Sequence, residues 1–379
     1  MARNLVICCD GTGNQFDSVN TNVVRIIQVI DRDPAKQRLY YDPGVGTLPE
    51  PGAWGAVRQK ASQLYGLVFG AGMMWKVQEA YTYLMNIWEP GDRIFLFGFS
   101  RGAYTVRVLA GMLHALGLMP RGNENLVPYV AKTYQAIPTG KADKWEKLCD
   151  EFRSTFARPM PEHEDRRCPV HFLGVWDTVS SVGWCWDPPK FPYTEHNESI
   201  ANIRHAVSVD ERRCFFRQNL MQKVGSQDLK QYWFPGVHSD VGGGYPEKES
   251  GLWRTSFEWM LEEAIEAELL VDNQRLQTVL NKTPPSTTPW TEPQHESLKK
   301  WWWLAEYFPK LVWIRGWKRS IPQLGLGRHR HILDHYPIHK YTLLRIRDKD
   351  YAPPNLSETF LATVRALPVV PETLPYKEE

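Results

Sequence analysis

A glycine-flanked serine stands where a short apolar run gives way to a helical one. Arg93-Ile94-Phe95-Leu96-Phe97 reads as a buried strand and Tyr104 to Ala115 as a helix, and only Gly98-Phe99-Ser100-Arg101-Gly102-Ala103 joins them. A turn that sharp needs strained backbone and leaves no room for side chains beside it. Gly98 and Gly102, two residues to either side of Ser100, meet that need. Glycine-flanked serines also occur in ordinary turns; the strand before and the helix after set this one apart. The pattern predicts a nucleophile elbow, with the Ser100 hydroxyl exposed beyond a strand end. The N-terminus of the next helix would add positive potential where an oxyanion forms.

The chain around the elbow alternates strand and helix. Asn4 to Cys9 reads as a nearly continuous apolar strand, followed by the polar loop Asp10-Gly11-Thr12-Gly13-Asn14. Val23, Val24, Ile26, Ile27 and Ile30 recur at helical spacing, Arg38 to Tyr41 is a strand closed by Asp42-Pro43-Gly44, and Met73 to Trp88 is a helix stopped by Pro90-Gly91. Pro169 to Trp176 and Gln231 to Phe234 resume the strands, and Trp253 to Leu270 is helical. Such alternation predicts an α/β fold with a mainly parallel sheet, helices on both faces and ligands beyond the carboxyl ends of the strands. Residues 120–169 read as a polar, irregular insertion that could form a cap, and Thr283 to Pro293 as a mobile loop. Trp301 to Arg319 is an aromatic, basic segment. The division expected is a catalytic domain over 1–260 that carries the insertion, and a Trp-rich region over 261–379 that caps it and returns to the core.

Composition narrows the partners. A formal net charge of +2 over 379 residues provides no basic field for nucleic acid. The six cysteines, Cys8, Cys9, Cys149, Cys168, Cys185 and Cys214, include no C-x-x-C pair, and no secretory leader precedes the first strand. The expected location is therefore the cytoplasm, with leaderless secretion compatible. The best apolar run, Leu64 to Met74, is too short to span a bilayer. Sixteen tryptophans exceed what a core needs and suit a pocket or an interface.

Ser100, Asp177 and His238 each follow a strand, in the chain order serine, aspartate, histidine of α/β-hydrolases. Serine is a weak nucleophile until a base takes its proton. His238 is the expected base, and Asp177 the group that fixes its tautomer and stabilises the imidazolium. The expected oxyanion hole combines the Arg101 N–H with a second N–H from Gly11 or Thr12. The rival acids have other uses: Asp240 is only two residues from His238, and Asp210 in Asp210-Glu211-Arg212-Arg213 reads as the anchor of an ion pair.

Two further patterns have a chemical reading that the residues do not complete. Cys9-Asp10-Gly11-Thr12 is similar to a haloacid-dehalogenase signature, but Cys8 stands where that nucleophile would be. His329, His331, His335 and His339 have ligand-like spacing, yet Pro337 interrupts them and no carboxylate or thiolate set completes a site. Neither a metal nor an organic cofactor is implied.

Six ordered motifs carry a family resemblance: Cys9-Asp10-Gly11-Thr12, Tyr41 to Thr47, Gly98 to Ala103, Trp176-Asp177-Thr178-Val179, His205 to Arg212 and Trp233 to Tyr245. Together they resemble the α/β-hydrolase family that includes the type VI secretion phospholipase effectors. The resemblance spans residues 1 to about 260, and Tyr351 to Leu356 is similar to the closing segment of many members. It implies an α/β-hydrolase core, a triad on Ser100, Asp177 and His238, and hydrolysis of carboxylic esters, with phospholipid the substrate of the effector branch. The expected protein is thus a serine hydrolase of lipid-like esters working through an acyl-enzyme. The contrasting class is a non-catalytic lipid- or protein-binding module on the same scaffold. Trp301 to Arg319 is expected either to line the acyl pocket or to make peripheral contact with a membrane.

Overall fold

The computed structural model describes residues 2–11, 19–44, 61–137, 142–161, 163–179, 191–281, 288–307, 310–314 and 319–377. Thr12, residues 45–47 of the second motif and 283–287 of the expected loop lie outside them.

Strands β1 (Asn4–Cys9), β2 (Gln37–Asp42), β3 (Arg93–Phe99), β4 (Val170–Trp176), β5 (Ile200–Ser208) and β6 (Asp228–Phe234) form the body of one sheet. β7 (Lys310–Ile314) and β8 (Arg319–Gln323) pair as a separate hairpin, while β9 (Pro337–His339) and β10 (Thr373–Pro375) extend the main sheet. The order is β10-β9-β6-β5-β4-β3-β1-β2, parallel throughout except for β10 on β9. Because every β3 residue after Arg93 is buried, the strand reads as unbroken apolar sequence rather than as alternation.

Successive residues serve opposite faces. Leu5, Ile7, Ile94, Leu96, Leu173 and Val175 pack under α2 (Ala61–Ile87), α3 (Arg101–Leu116), α4 (Val127–Ala136) and α5 (Ala142–Phe156). Val6, Cys8, Phe95, Phe97, Phe172 and Trp176 pack under α1 (Asn22–Val29), α7 (Trp253–Glu266) and α8 (Asn273–Leu280). Short helix α6 (His238–Gly242) follows β6, and α9 (Lys300–Glu306) precedes the hairpin. Helices α10 (Lys340–Asp348) and α11 (Glu358–Arg365) close a third apolar cluster around Trp233 and Ile338.

Residues 120–169 depart from the expected irregularity. Two helices occupy much of the segment, and they lie on the α2/α3 face because Val130, Tyr134, Cys149 and Phe152 form apolar stripes within charged sequence. No helix among the described residues is long and apolar enough to cross a membrane.

Candidate active site

Ser100 sits in the sharp turn that joins β3 to α3, with Gly98 and Gly102 two residues to either side. Ser100 directly precedes α3 with φ 58° and ψ −122°, a strained conformation for a residue with a side chain. Its N–H donates to the Trp176 carbonyl at 3.1 Å, tying the turn to the end of β4. A Cβ on Gly102 would stand 2.2 Å from the Cys9 carbonyl oxygen, and one on Gly98 2.6 Å from the Ala103 Cα, so any larger residue at either position forces the turn apart.

Three strand ends bring Ser100, Asp177 and His238 together. His238 Nε2 lies 2.8 Å from Ser100 Oγ, and His238 Nδ1 lies 2.5 Å from Asp177 Oδ2. A carboxylate only accepts, so Nδ1 carries the proton and Nε2 offers its lone pair to the serine hydroxyl. The imidazole is held between Phe99 at 4.6 Å and the edge of Phe216 at 4.8 Å between ring centres. Burial pushes the His238 pKa below its ordinary value, and Asp177 offsets part of that shift. The neutral imidazole, the form able to accept a proton, is therefore favoured.

Asp177 also has backbone at positive φ, 40°. Burial drives its carboxyl pKa upward, but the Arg330 guanidinium and the His238 hydrogen bond outweigh burial and hold it well below the usual carboxylate range. Oδ1 accepts the Ser208 N–H at 2.9 Å, and Arg330 reaches both oxygens, at 2.5 and 3.0 Å.

Three other acids organise the His238 loop. Glu211 accepts the His238 N–H at 3.2 Å and pairs with Arg213 at 2.9 Å. Asp240 accepts the Val237 N–H at 3.1 Å and the His295 ring at 2.6 Å. Asp210 accepts from the Gly236 N–H and the Tyr351 hydroxyl, each at 2.7 Å. Glu211, and not Asp210, anchors the ion pair expected in this motif, because Glu211 reaches Arg213 while Asp210 faces Tyr351.

A cavity of about 330 Å³ opens over Ser100, lined by Gly11, Arg101, Val179, Phe216 and Trp302 among others. Phe216 meets Trp302 edge-on at 5.5 Å, and the Arg213 guanidinium lies 3.6 Å over Phe216. Of the two donors expected from the first loop, Gly11 borders the cavity, but its N–H already donates to Asp10 Oδ1 at 2.7 Å. That bond must yield or be shared before Gly11 can serve an oxyanion. The clustered histidines diverge: His331 and His335 are exposed, whereas His339 is buried and accepts the Tyr341 N–H as a helix cap. Among the described residues no three His, Cys, Asp or Glu side chains converge as a metal site requires.

Sequence reasoning missed Arg330 and Glu211. Arg330 sits inside the histidine run that drew attention for its ring nitrogens, and nothing local marks it as the partner of an aspartate 153 positions away. Glu211 falls within the His205 to Arg212 motif, but no local spacing ties its carboxylate to the His238 N–H 27 positions on.

One family model matches most of the chain. A model described as T6SS, phospholipase effector Tle1-like, catalytic domain matches residues 3–263. An uncharacterized protein of Saccharomyces cerevisiae, YEL023C, is 35% identical over 234 residues, covering 57% of this chain and 32% of its own. Two solved structures are similar at 19% identity. An uncharacterized protein from Pseudomonas aeruginosa has a TM-score of 0.43, over 72% of this chain and 46% of that one. The Tle1 effector bound to the VgrG spike of the type VI secretion system has a TM-score of 0.37, over 65% and 52%. The chain thus spans about a third of the yeast relative's length and about half of each solved chain. With more than half of its residues matched by one family model, this protein belongs to the Tle1-like phospholipase effector catalytic-domain family.

Proposed function

We propose that the protein hydrolyses lipid-like carboxylic esters through an acyl-enzyme on Ser100. Ser100 Oγ attacks the ester carbonyl carbon while its proton passes to His238 Nε2. Collapse of the tetrahedral intermediate breaks the bond to the leaving alcohol, which takes that proton from His238. Water then attacks the acyl-serine, again losing a proton to His238, and the second collapse releases the carboxylic acid and returns the proton to Ser100. Asp177 stays ionised throughout and stabilises the imidazolium. Arg101 offers its backbone N–H to the oxyanion, with Gly11 as second donor once its bond to Asp10 loosens.

The observation that carries the reading is the unbroken chain Ser100 Oγ, His238 Nε2, His238 Nδ1, Asp177 Oδ2, with links of 2.8 and 2.5 Å below an open cavity. Membership of a phospholipase effector family points to lipid esters. Trp302 in the cavity wall supports a cap made by the C-terminal region.

A fluorophosphonate probe and a chain-length panel of nitrophenyl esters, run beside a phospholipid, test the proposal. Wild type is expected to label and turn over, and Ser100→Ala to lose labelling and about a million-fold in turnover with its fold intact. Folded wild type that neither labels nor hydrolyses any ester would leave a binding module on a hydrolase scaffold.

A further inference from the structure

We infer that Arg330, from the C-terminal region, is a positioning residue of this site that fixes the Asp177 carboxylate toward His238 through a two-pronged guanidinium clamp. The inference rests on the hydrolytic reading above and extends it beyond residues 3–263, the span matched by the family model.

Arg330 is 6% exposed, and its fork is filled by the site itself. Nη1 donates to Asp177 Oδ1 at 2.5 Å, to Ser208 Oγ at 2.7 Å and to the Ser208 carbonyl at 3.2 Å. Nη2 donates to Asp177 Oδ2 at 3.0 Å and to the Phe216 carbonyl, which also accepts from Nε at 3.1 Å. One guanidinium therefore ties together the acid, the end of β5 and the residue whose ring rests on His238. The Arg330 backbone is anchored in turn, since Asn355 Nδ2 donates to its carbonyl at 3.0 Å.

The chemistry gives a reason for the clamp. Asp177 is fully buried, and a neutral imidazole cannot compensate its charge; without another counter-charge the carboxylate would be balanced only by a proton taken up on the His238 ring, which would cost the site its base. A planar, permanently charged fork supplies that charge and also fixes the carboxylate's orientation, which a lysine ammonium does not. The clamp has an electrostatic side effect. Oδ2 is shared between Arg330 and His238, so the positive charge makes His238 a weaker base than an unclamped Asp177 would.

Among the described residues, the charged and titratable groups around His238 are Asp177, Arg330, Glu211 at its N–H, Arg213 over Phe216, and Arg101 across the cavity. Removing Arg330 alone therefore has a definite sign. In Arg330→Met, kcat is expected to fall roughly a hundred-fold with KM little changed, as for a misplaced catalytic group. The acid limb of the kcat profile is expected to move to higher pH, because a cation near the imidazolium is gone. Arg330→Lys keeps the charge without the fork, so kcat falls at least tenfold while the acid limb stays near the wild-type position.

Nitrogen-detected NMR titration of the His238 ring, in a Ser100→Ala background with and without Arg330→Met, gives a readout independent of turnover. A ring pKa raised by Arg330→Met supports the clamp; one that does not move overturns it. Should Arg330→Met fail to fold, Arg330→Lys decides: wild-type kcat there refutes the positioning role. Inactive wild type would count against the hydrolytic reading alone, since the titration still reports on Arg330 and Asp177.

Discussion

Gly242 and Phe99 interlock: a Cβ on Gly242 would stand 1.9 Å from the Phe99 ring. Phe99 immediately precedes Ser100, and Gly242 ends the short helix that begins at His238. The proposed nucleophile and base therefore ride on two elements that touch at a point with no spare volume.

Adding a methyl group there forces the Phe99 ring off His238. Gly242→Ala is expected to lower stability by roughly 1–3 kcal/mol and turnover by about ten- to a hundred-fold. Thermal melts and ester kinetics on the purified variant check this. Wild-type turnover despite a lowered melting temperature would mean that the contact shapes the core and not the site.

The proposed acid separates from its rivals by what each touches. Asp177→Asn presents an amide to His238 Nδ1, which favours the wrong tautomer, and turnover is expected to fall by roughly ten-thousand-fold. Asp240→Asn disturbs only the His295 contact and the loop amide, so its effect is expected to be far smaller. Greater damage from Asp240→Asn at equal folded fraction would reassign the acid.

Asp210 makes the stability depend on pH. Burial pushes its carboxyl pKa up from 3.8 to about 6, against hydrogen bonds that act the other way. The folded chain thus holds this proton more tightly than the unfolded chain does. Its contribution is fully present below about pH 4 and lost as pH rises through about 6. Both of its hydrogen bonds use Oδ2, an atom that an asparagine oxygen replaces. Asp210→Asn is therefore expected to gain stability relative to wild type between pH 4 and 8, by up to roughly 2–3 kcal/mol. Denaturant melts at pH 4, 6 and 8 measure it; a constant difference between the two proteins across that range would contradict the argument.

Helix α9 and Tyr307 just after it present two surfaces with different expected roles. Trp302 lines the cavity, while Trp303, Leu304 and Tyr307 are 39%, 58% and 61% exposed. Trp302→Ala is expected to change KM for soluble nitrophenyl esters several-fold. Leu304→Ser with Tyr307→Ser is expected to spare soluble esters and to reduce activity and sedimentation on anionic vesicles, if these side chains meet lipid. Unaltered vesicle binding in the double variant would confine α9 to the cap.

How much of this was readable in advance follows the range of the signals. The elbow is local: a buried strand, two glycines, a serine and a helix, all within some two dozen residues. β5 was harder to see, because Arg204 and His205 interrupt its apolar sequence. They are tolerated because Arg204 pairs with Asp228 and Glu263, and His205 with Gln231, all beyond the reach of a sequence window. In α5 the charged residues around Cys149 and Phe152 hid a narrow apolar stripe. Arg330 depends wholly on tertiary contact, and no spacing rule pairs it with Asp177.

Two of the three residues in the Ser100–His238–Asp177 chain, Ser100 and Asp177, hold positive φ without being glycine. Each such conformation costs on the order of 1–3 kcal/mol. At Asp177 glycine would leave the buried Arg330 guanidinium without its partner, but at Ser100 it removes only the bond to His238, so selection for heat resistance alone would favour glycine there. The result would be a hardier shell without its proposed nucleophile, so a thermostability screen on this protein has to read turnover in the same well.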